Sequence, residues 1–210
     1  METARRTRRD RQAQTRANLI AAAREVFLAR GFHTASLDEI AEQAGYTKGA
    51  VYSNFAGKDD LFLALLAEHY ARRAETYAEL IPGSENLEET YRAIAGVMLE
   101  AYAQEPRWWP LISDFSTHAS RNPALLERLR ATREAYLDVL ATMIETVCAR
   151  HGITYLLPAR EVARGTGALM RGMAVEWALD PAGADGHAFE EMHAAYLRGL
   201  AVPLHERSTV

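Results

Sequence analysis

Apolar residues recur three and four positions apart along almost the whole chain, the pattern of helices that each bury one stripe. The first stripe, Leu19, Ile20, Ala23, Val26 and Phe27, predicts a helix over 15–30, with Thr15 as its cap and Gly31 in the left-handed position that ends it. Ser36 and Glu39 have the spacing of a capping box. Leu37, Ile40, Ala41 and Ala44 then share one face of a short second helix, which Gly45 closes. After a turn begun by Tyr46, Thr47 is placed to cap a third helix whose inward side is Val51 and Phe55. Ala41 is small enough to let the second and third helices cross closely.

Longer helices follow. Leu61, Phe62, Leu65, Leu66, His69 and Tyr70 stripe a helix from Lys58 to about Leu80, stopped by Pro82-Gly83. Asn86 and Glu89 open another, running to about Gln104 with Tyr91, Ile94, Ala95, Met98, Ala101 and Tyr102 inward. The stretch 106–122 is short, aromatic and bracketed by prolines, with Leu111, Phe115 and His118 on one helical face. Pro123 starts a helix to about His151 that turns Leu126, Leu129, Tyr136, Leu140, Met143 and Val147 inward before Gly152. One more helix spans 158–179, and the last, 186–202, carries Phe189, Met192, Tyr196 and Leu200 on one side. Nothing alternates with a two-residue period, so no strand is expected. The fold class is all-α, with about nine helices.

Charge divides the chain unevenly. Residues 1–60 hold ten Lys/Arg against eight Asp/Glu, while the other 150 hold fourteen against twenty, within a whole-chain net charge of −4. Arg5, Arg6, Arg8, Arg9, Arg11 and Arg16 precede the first stripe, so residues 1–14 read as a basic arm that is either a solvated tail or an added set of phosphate contacts. The single cysteine, Cys148, excludes an internal disulfide and suits a reducing cytoplasm. No window is long and apolar enough for a membrane span, and the first twenty residues carry no apolar core of a secretory signal.

A capped helix, a turn containing Gly45 and a second capped helix form a helix-turn-helix, whose second helix enters the DNA major groove. Its outward residues fit that task. Lys48, Gly49, Tyr52, Ser53 and Asn54 offer donors and a cation, with no acid from 45 to 58. The backbone N–H groups near Thr47 to Gly49 form a natural phosphate site. Lys58 is expected on the flanking phosphate, and Thr34 and Ser36 on the backbone, though capping alone explains Ser36. Lys48, Tyr52 and Lys58 are assigned mainly to phosphates, and Gly49, Ser53 and Asn54 to base edges. The run SLDEIAEQAGYTKGAVYSNFAGKDDLF resembles the DNA-binding signature of TetR/AcrR-type transcriptional regulators, closely over residues 15–70 and only in helical layout and length beyond. The resemblance implies a helix-turn-helix domain over 15–60 and a helical ligand-binding and dimerisation domain over 61–210. It also implies a homodimer on a pseudo-palindromic operator, a small-molecule ligand that releases it, and a phosphate contact for Thr15.

For the body, apolar space between helices is the common ligand site. The candidates are Met98, Tyr102, Trp108, Trp109 and Phe115, together with His118, Tyr136, Met143, Met173 and Trp177, against the plainer reading that they fill the core. Their polar handles are few, which favours an apolar or aromatic compound. Gly165, Ala168 and Gly172 strip one helix face of side chains, and with Phe189, Met192 and Tyr196 they make a candidate dimer interface, unless a helix of the same chain fills that space. No metal-ligand spacing, nucleotide loop or nucleophile–base–orienter set is present, so neither a cofactor nor an enzyme is expected. The alternatives are a DNA-binding or architectural protein without an inducer and, less favoured, a helical small-molecule enzyme.

Overall fold

The computed structural model describes residues 2–80, 86–183 and 185–204, with side chains from residue 9 onward. The expected stop at Pro82-Gly83 and the side chains of Arg5, Arg6 and Arg8 lie outside these. In chain order the helices are α1 (Glu2–Arg30), α2 (Leu37–Gln43), α3 (Lys48–Asn54), α4 (Lys58–Leu80), α5 (Leu87–Gln104), α6 (Trp108–Ala119), α7 (Pro123–His151), α8 (Ala159–Leu179) and α9 (Gly186–Leu200).

Local signals put the boundaries where the residues dictate. The capping box at α2 is closed in both directions, Glu39 N–H donating to Ser36 Oγ at 3.2 Å and Ser36 N–H to Glu39 Oε2 at 3.0 Å. Gly31, Gly45 and Gly152, each just past a helix, have φ of 76°, 71° and 65°, conformations a side chain resists.

Two expectations are corrected. The basic arm is part of α1, which begins at Glu2, and Thr15 is inside that helix, its hydroxyl donating to the Arg11 carbonyl at 2.9 Å. Residues without an apolar stripe can still continue a helix when nothing breaks it. There is also a two-stranded antiparallel pair, β1 (Ile153–Tyr155) with β2 (Ala201–Pro203), in register Thr154 to Val202. Three residues are too few for a two-residue period to show, and the last helix accordingly ends at Leu200.

Two compact units are present: residues 1–69 with 110–132, the head, and 70–109 with 133–210, the body. The head therefore exceeds the expected 15–60 span, taking in the start of α4, most of α6 and the start of α7. Its core is aromatic. Phe27, Phe32, Phe62 and Phe115 are buried, and Phe115 stacks on Phe62 at 4.2 Å and meets Phe32 edge-on at 5.0 Å. Leu19, Ile40, Val51, Leu61 and Leu65 complete that core, each fully buried.

The body has two apolar clusters. One gathers Ala95, Met98, Met170, Ala174, Trp177 and Phe189 from α5, α8 and α9. The other gathers Tyr91, Tyr155, Val162, Ala194 and Leu197, within which the Tyr155 hydroxyl donates to that of Tyr91 at 3.1 Å.

Candidate nucleic-acid interface

In the head, α2 and α3 pack against each other and against α1. Gly45 turns the chain between them, its N–H and that of Tyr46 returning to the Glu42 and Ala41 carbonyls. The Tyr46 hydroxyl accepts from Asn18 of α1 at 3.0 Å, which pins the turn to the platform. Thr47 caps α3 by accepting from Ala50 N–H at 3.3 Å. Arg16 of α1 lies over the Phe55 ring at 4.7 Å, closing the far end of α3. These ties leave α3 little freedom.

The outward face of α3 carries Thr47, Lys48, Gly49, Tyr52 and Ser53, all exposed, with Tyr52 54% exposed despite its size. Thr34, in the connection ahead of α2, is also exposed. Three expected contacts are otherwise engaged. Lys58 bends back to donate to the His33 and Ala35 carbonyls at 3.1 and 3.0 Å and stands over the Phe32 ring at 4.8 Å. Partial burial there pushes its pKa down. It ties the 31–36 connection to α4. Asn54 folds onto its own helix, Nδ2 donating to the Ala50 carbonyl at 2.8 Å, so it is not displayed as a base reader. Ser36 spends its hydroxyl on the capping box.

The reading face also meets an acid that the 45–58 window hid. Asp38 of α2 pairs with Lys48 at 2.8 Å and holds its pKa above the ordinary lysine value. A phosphate at Lys48 must compete with that carboxylate. Asn18, Arg16 and Asp38 were missed because each acts across helices, at separations no local motif marks.

The ten body candidates do not come together. Met98, Tyr102, Trp109, Met173 and Trp177 share one cluster, Tyr102 facing Trp177 at 4.9 Å between ring centres. Tyr136 stacks on Tyr70 at 4.3 Å. Trp108 is buried at the start of α6 and Met143 is half-buried on α7. Phe115 and His118 belong to the head: Phe115 fills its core, and His118 Nε2 lies 3.1 Å from Asp59 Oδ1.

The candidate interface divides likewise. A Cβ at Gly165 would overlap the Tyr196 hydroxyl of the same chain, which donates to the Val162 carbonyl at 3.3 Å, and Phe189 is fully buried. Gly165, Phe189 and Tyr196 therefore serve internal packing. Ala168, Gly172 and Met192 remain exposed.

Residues 19–65 match the profile of bacterial regulatory proteins of the tetR family, and residues 87–202 that of the BetI-type transcriptional repressor C-terminal domain. The chain belongs to the TetR family. Among curated relatives of this TetR-family chain, the HTH-type transcriptional activator FasR of Mycolicibacterium smegmatis is 28% identical over 131 residues, 62% of this chain and 59% of that one. The HTH-type transcriptional regulator SrpR of Pseudomonas putida is 40% identical over 88 residues, 42% of this chain and 39% of its own. The chain thus spans about two-fifths to three-fifths of the length of these relatives. Its fold is that of FadR from Bacillus subtilis, solved in complex with stearoyl-CoA, at TM-score 0.70 and 20% identity over 88% of this chain and 98% of that one. Salmonella enterica GusR gives 0.69 at 21% identity, over 89% and 95%. The family and these relatives are transcriptional regulators rather than enzymes. No helix among the described residues is long and apolar enough to cross a membrane.

Proposed function

We propose that this TetR-family protein is a cytoplasmic homodimeric repressor, held on a pseudo-palindromic DNA operator by two copies of α3 and released by a small apolar or aromatic ligand of the body. The observation that carries the DNA half is the exposed Lys48–Gly49–Tyr52–Ser53 face on a helix fixed by a cap and by ties to α1. Lys48 and Tyr52 hold phosphates, and Gly49 and Ser53 lie nearest base edges. The BetI-type repressor match over 87–202 supports repression over activation, although FasR is named an activator.

The dimer reading rests on unpartnered apolar stripes. On α8, Ala168, Gly172, Val175 and Leu179 are exposed at helical spacing, Leu179 to 77%, and on α9 so are Met192, Ala195 and Gly199. Two such stripes per subunit meet their like about a two-fold axis. A Val175→Glu variant that remains dimeric by light scattering would remove this surface from the interface.

Selection of duplexes from a random library at physiological salt tests the whole reading. Enrichment of a two-fold symmetric site, with half-site centres ~34–36 Å apart or a little more, is expected. Salt-sensitive binding with no enriched sequence would refute a sequence-specific regulator. Released DNA on addition of a ligand, and by reciprocity a weaker ligand affinity on operator, establishes the inducer.

A further inference from the structure

Three helices of the body bring cations and tyrosines together. On α4, Tyr70, Arg73 and Tyr77 lie one turn apart on one face, and on α7 so do Arg133 and Tyr136. The Tyr70 and Tyr136 rings stack in near-parallel planes 4.3 Å apart. From α8, Arg171 lies back along its own helix: a Cβ at Gly167 would sit 3.3 Å from its Nη1. A glycine in mid-helix disfavours that helix by about 1 kcal/mol relative to alanine, and here its bare surface makes room for a guanidinium.

The acids nearby are already paired. Glu134 and Asp138 of α7 take Arg160 at 3.0 and 2.6 Å, and Arg164 divides between Glu134 and Glu161. Among the described residues no carboxylate pairs with Arg171, Arg133 or Arg73. The charges that bear on Arg171 are cations, Arg133 and Arg164, while Tyr70 is the neighbour that favours its charge. Burial and that repulsion together push its pKa down, and burial pushes those of Tyr70, Tyr77 and Tyr136 up, so the hydroxyls stay neutral donors. A half-buried cation beside like charge, with no acid, is an incomplete arrangement. An anion completes it.

We infer that the body binds an amphipathic anion, its carboxylate or phosphate held by Arg171 with Arg133 and the Tyr70 hydroxyl, and its apolar part against Tyr77, Met173 and Trp177. The continuity is on Tyr77, which bears on Tyr136 in the polar group and packs against the Met98–Met170–Trp177 cluster. The inference rests on the ligand-responsive reading above and narrows its ligand to one negative group on an apolar frame. Arginine is suited to that role, being always charged and able to grip a planar anion at two points.

The test uses the full chain and four probes of one tail length below their micellar range: decanoate, decyl phosphate, decanol and decylamine. Tryptophan fluorescence should show at least one of the two anions binding about ten-fold or more tighter than decanol, the span of a charge-assisted hydrogen bond. Decylamine should bind most weakly, and whichever anion is tighter names the head group. Arg171→Met should raise the melting temperature of the free protein while abolishing the preference for anion over alcohol, and Arg171→Lys should keep part of it. Decanol binding as tightly as both anions, binding by none of the four, or a lower melting temperature in Arg171→Met would each overturn the inference. Decanol releasing DNA with no anion preference would leave the regulator standing without this site. Arg171-dependent anion binding with unchanged DNA retention would keep the site and sink the inducer model.

Discussion

The joints of the head and the polar interior of the body are arranged differently. In the head the polar groups at the helix joints find partners within the unit: Ser36 and Glu39 cap each other, Lys58 ties two carbonyls, His118 meets Asp59, and Arg128 meets Asp60. In the body, the groups among the described residues whose charge bears on Arg171 are Arg133, Arg164 and the Tyr70 phenol, and His193 is fully buried with neither ring nitrogen in a well-formed hydrogen bond. The body also shows apolar stripes to solvent and the head shows a polar face. The joints of the head are tied from within, whereas the body holds a half-buried cation beside like charge and a buried imidazole.

The contrast can be broken at several points. Phe115→Ala should remove the ring stacked on Phe62 and destabilise the head by about 3–5 kcal/mol in chemical denaturation, a loss typical of large core truncations. A loss under about 1 kcal/mol would show that the 110–132 segment is not integral to the head. His193 gives the body its own signature. Its burial pushes the pKa down to about 4, from an ordinary 6.5. The unfolded chain therefore takes the proton first, and stability falls as pH drops from about 6.5 to about 4, by at most about 3 kcal/mol. His193→Leu should flatten that part of the pH–stability curve, and an unchanged slope would place its origin in the carboxylates.

Smaller effects sharpen the comparison. Gly165→Ala forces its methyl into the Tyr196 hydroxyl and should destabilise the body by about 1–3 kcal/mol, with recovery in the double variant Gly165→Ala, Tyr196→Leu. Absence of recovery would mean that the strain lies in another neighbour. Ser36→Ala should weaken the head by about 1 kcal/mol through its cap. At the small end, Lys48→Ala should leave stability nearly unchanged, since an exposed ion pair is worth little, while reducing binding to every duplex and lowering the salt slope by about one contact. A salt slope equal to that of the parent protein would remove Lys48 from the phosphate contacts.

The same contrast explains what was legible in the sequence. The helix ends of the head rest on signals three or four residues long, such as Ser36 with Glu39 or Gly45 after Ala44, and they need no knowledge of the fold. The Lys58 tie to residues 33 and 35 and the pairing of His118 with Asp59 join distant parts of the chain and leave no local trace. A stripe shows that Phe115 and His118 face inward but not which unit receives them. β1 and β2 are too short to alternate visibly, and they pair across nearly fifty residues. The Gly165 face was read as bare, and only the position of Tyr196 decides that its space is already filled.

The head draws its core from two stretches of chain, and this sets an order of events during synthesis. When the helix-turn-helix and the first part of α4 have been made, Phe32 and Phe62 still lack the Phe115 ring that covers them. At about 5–20 residues per second, the fifty or so residues needed to reach the end of α6 take roughly 2–10 seconds. Through that interval the nascent chain carries the exposed face of α3 on a head core that is still one aromatic ring short. A product broken off before α6 thus carries a less stable head than the whole chain, and the head is complete only once synthesis is past the chain's midpoint.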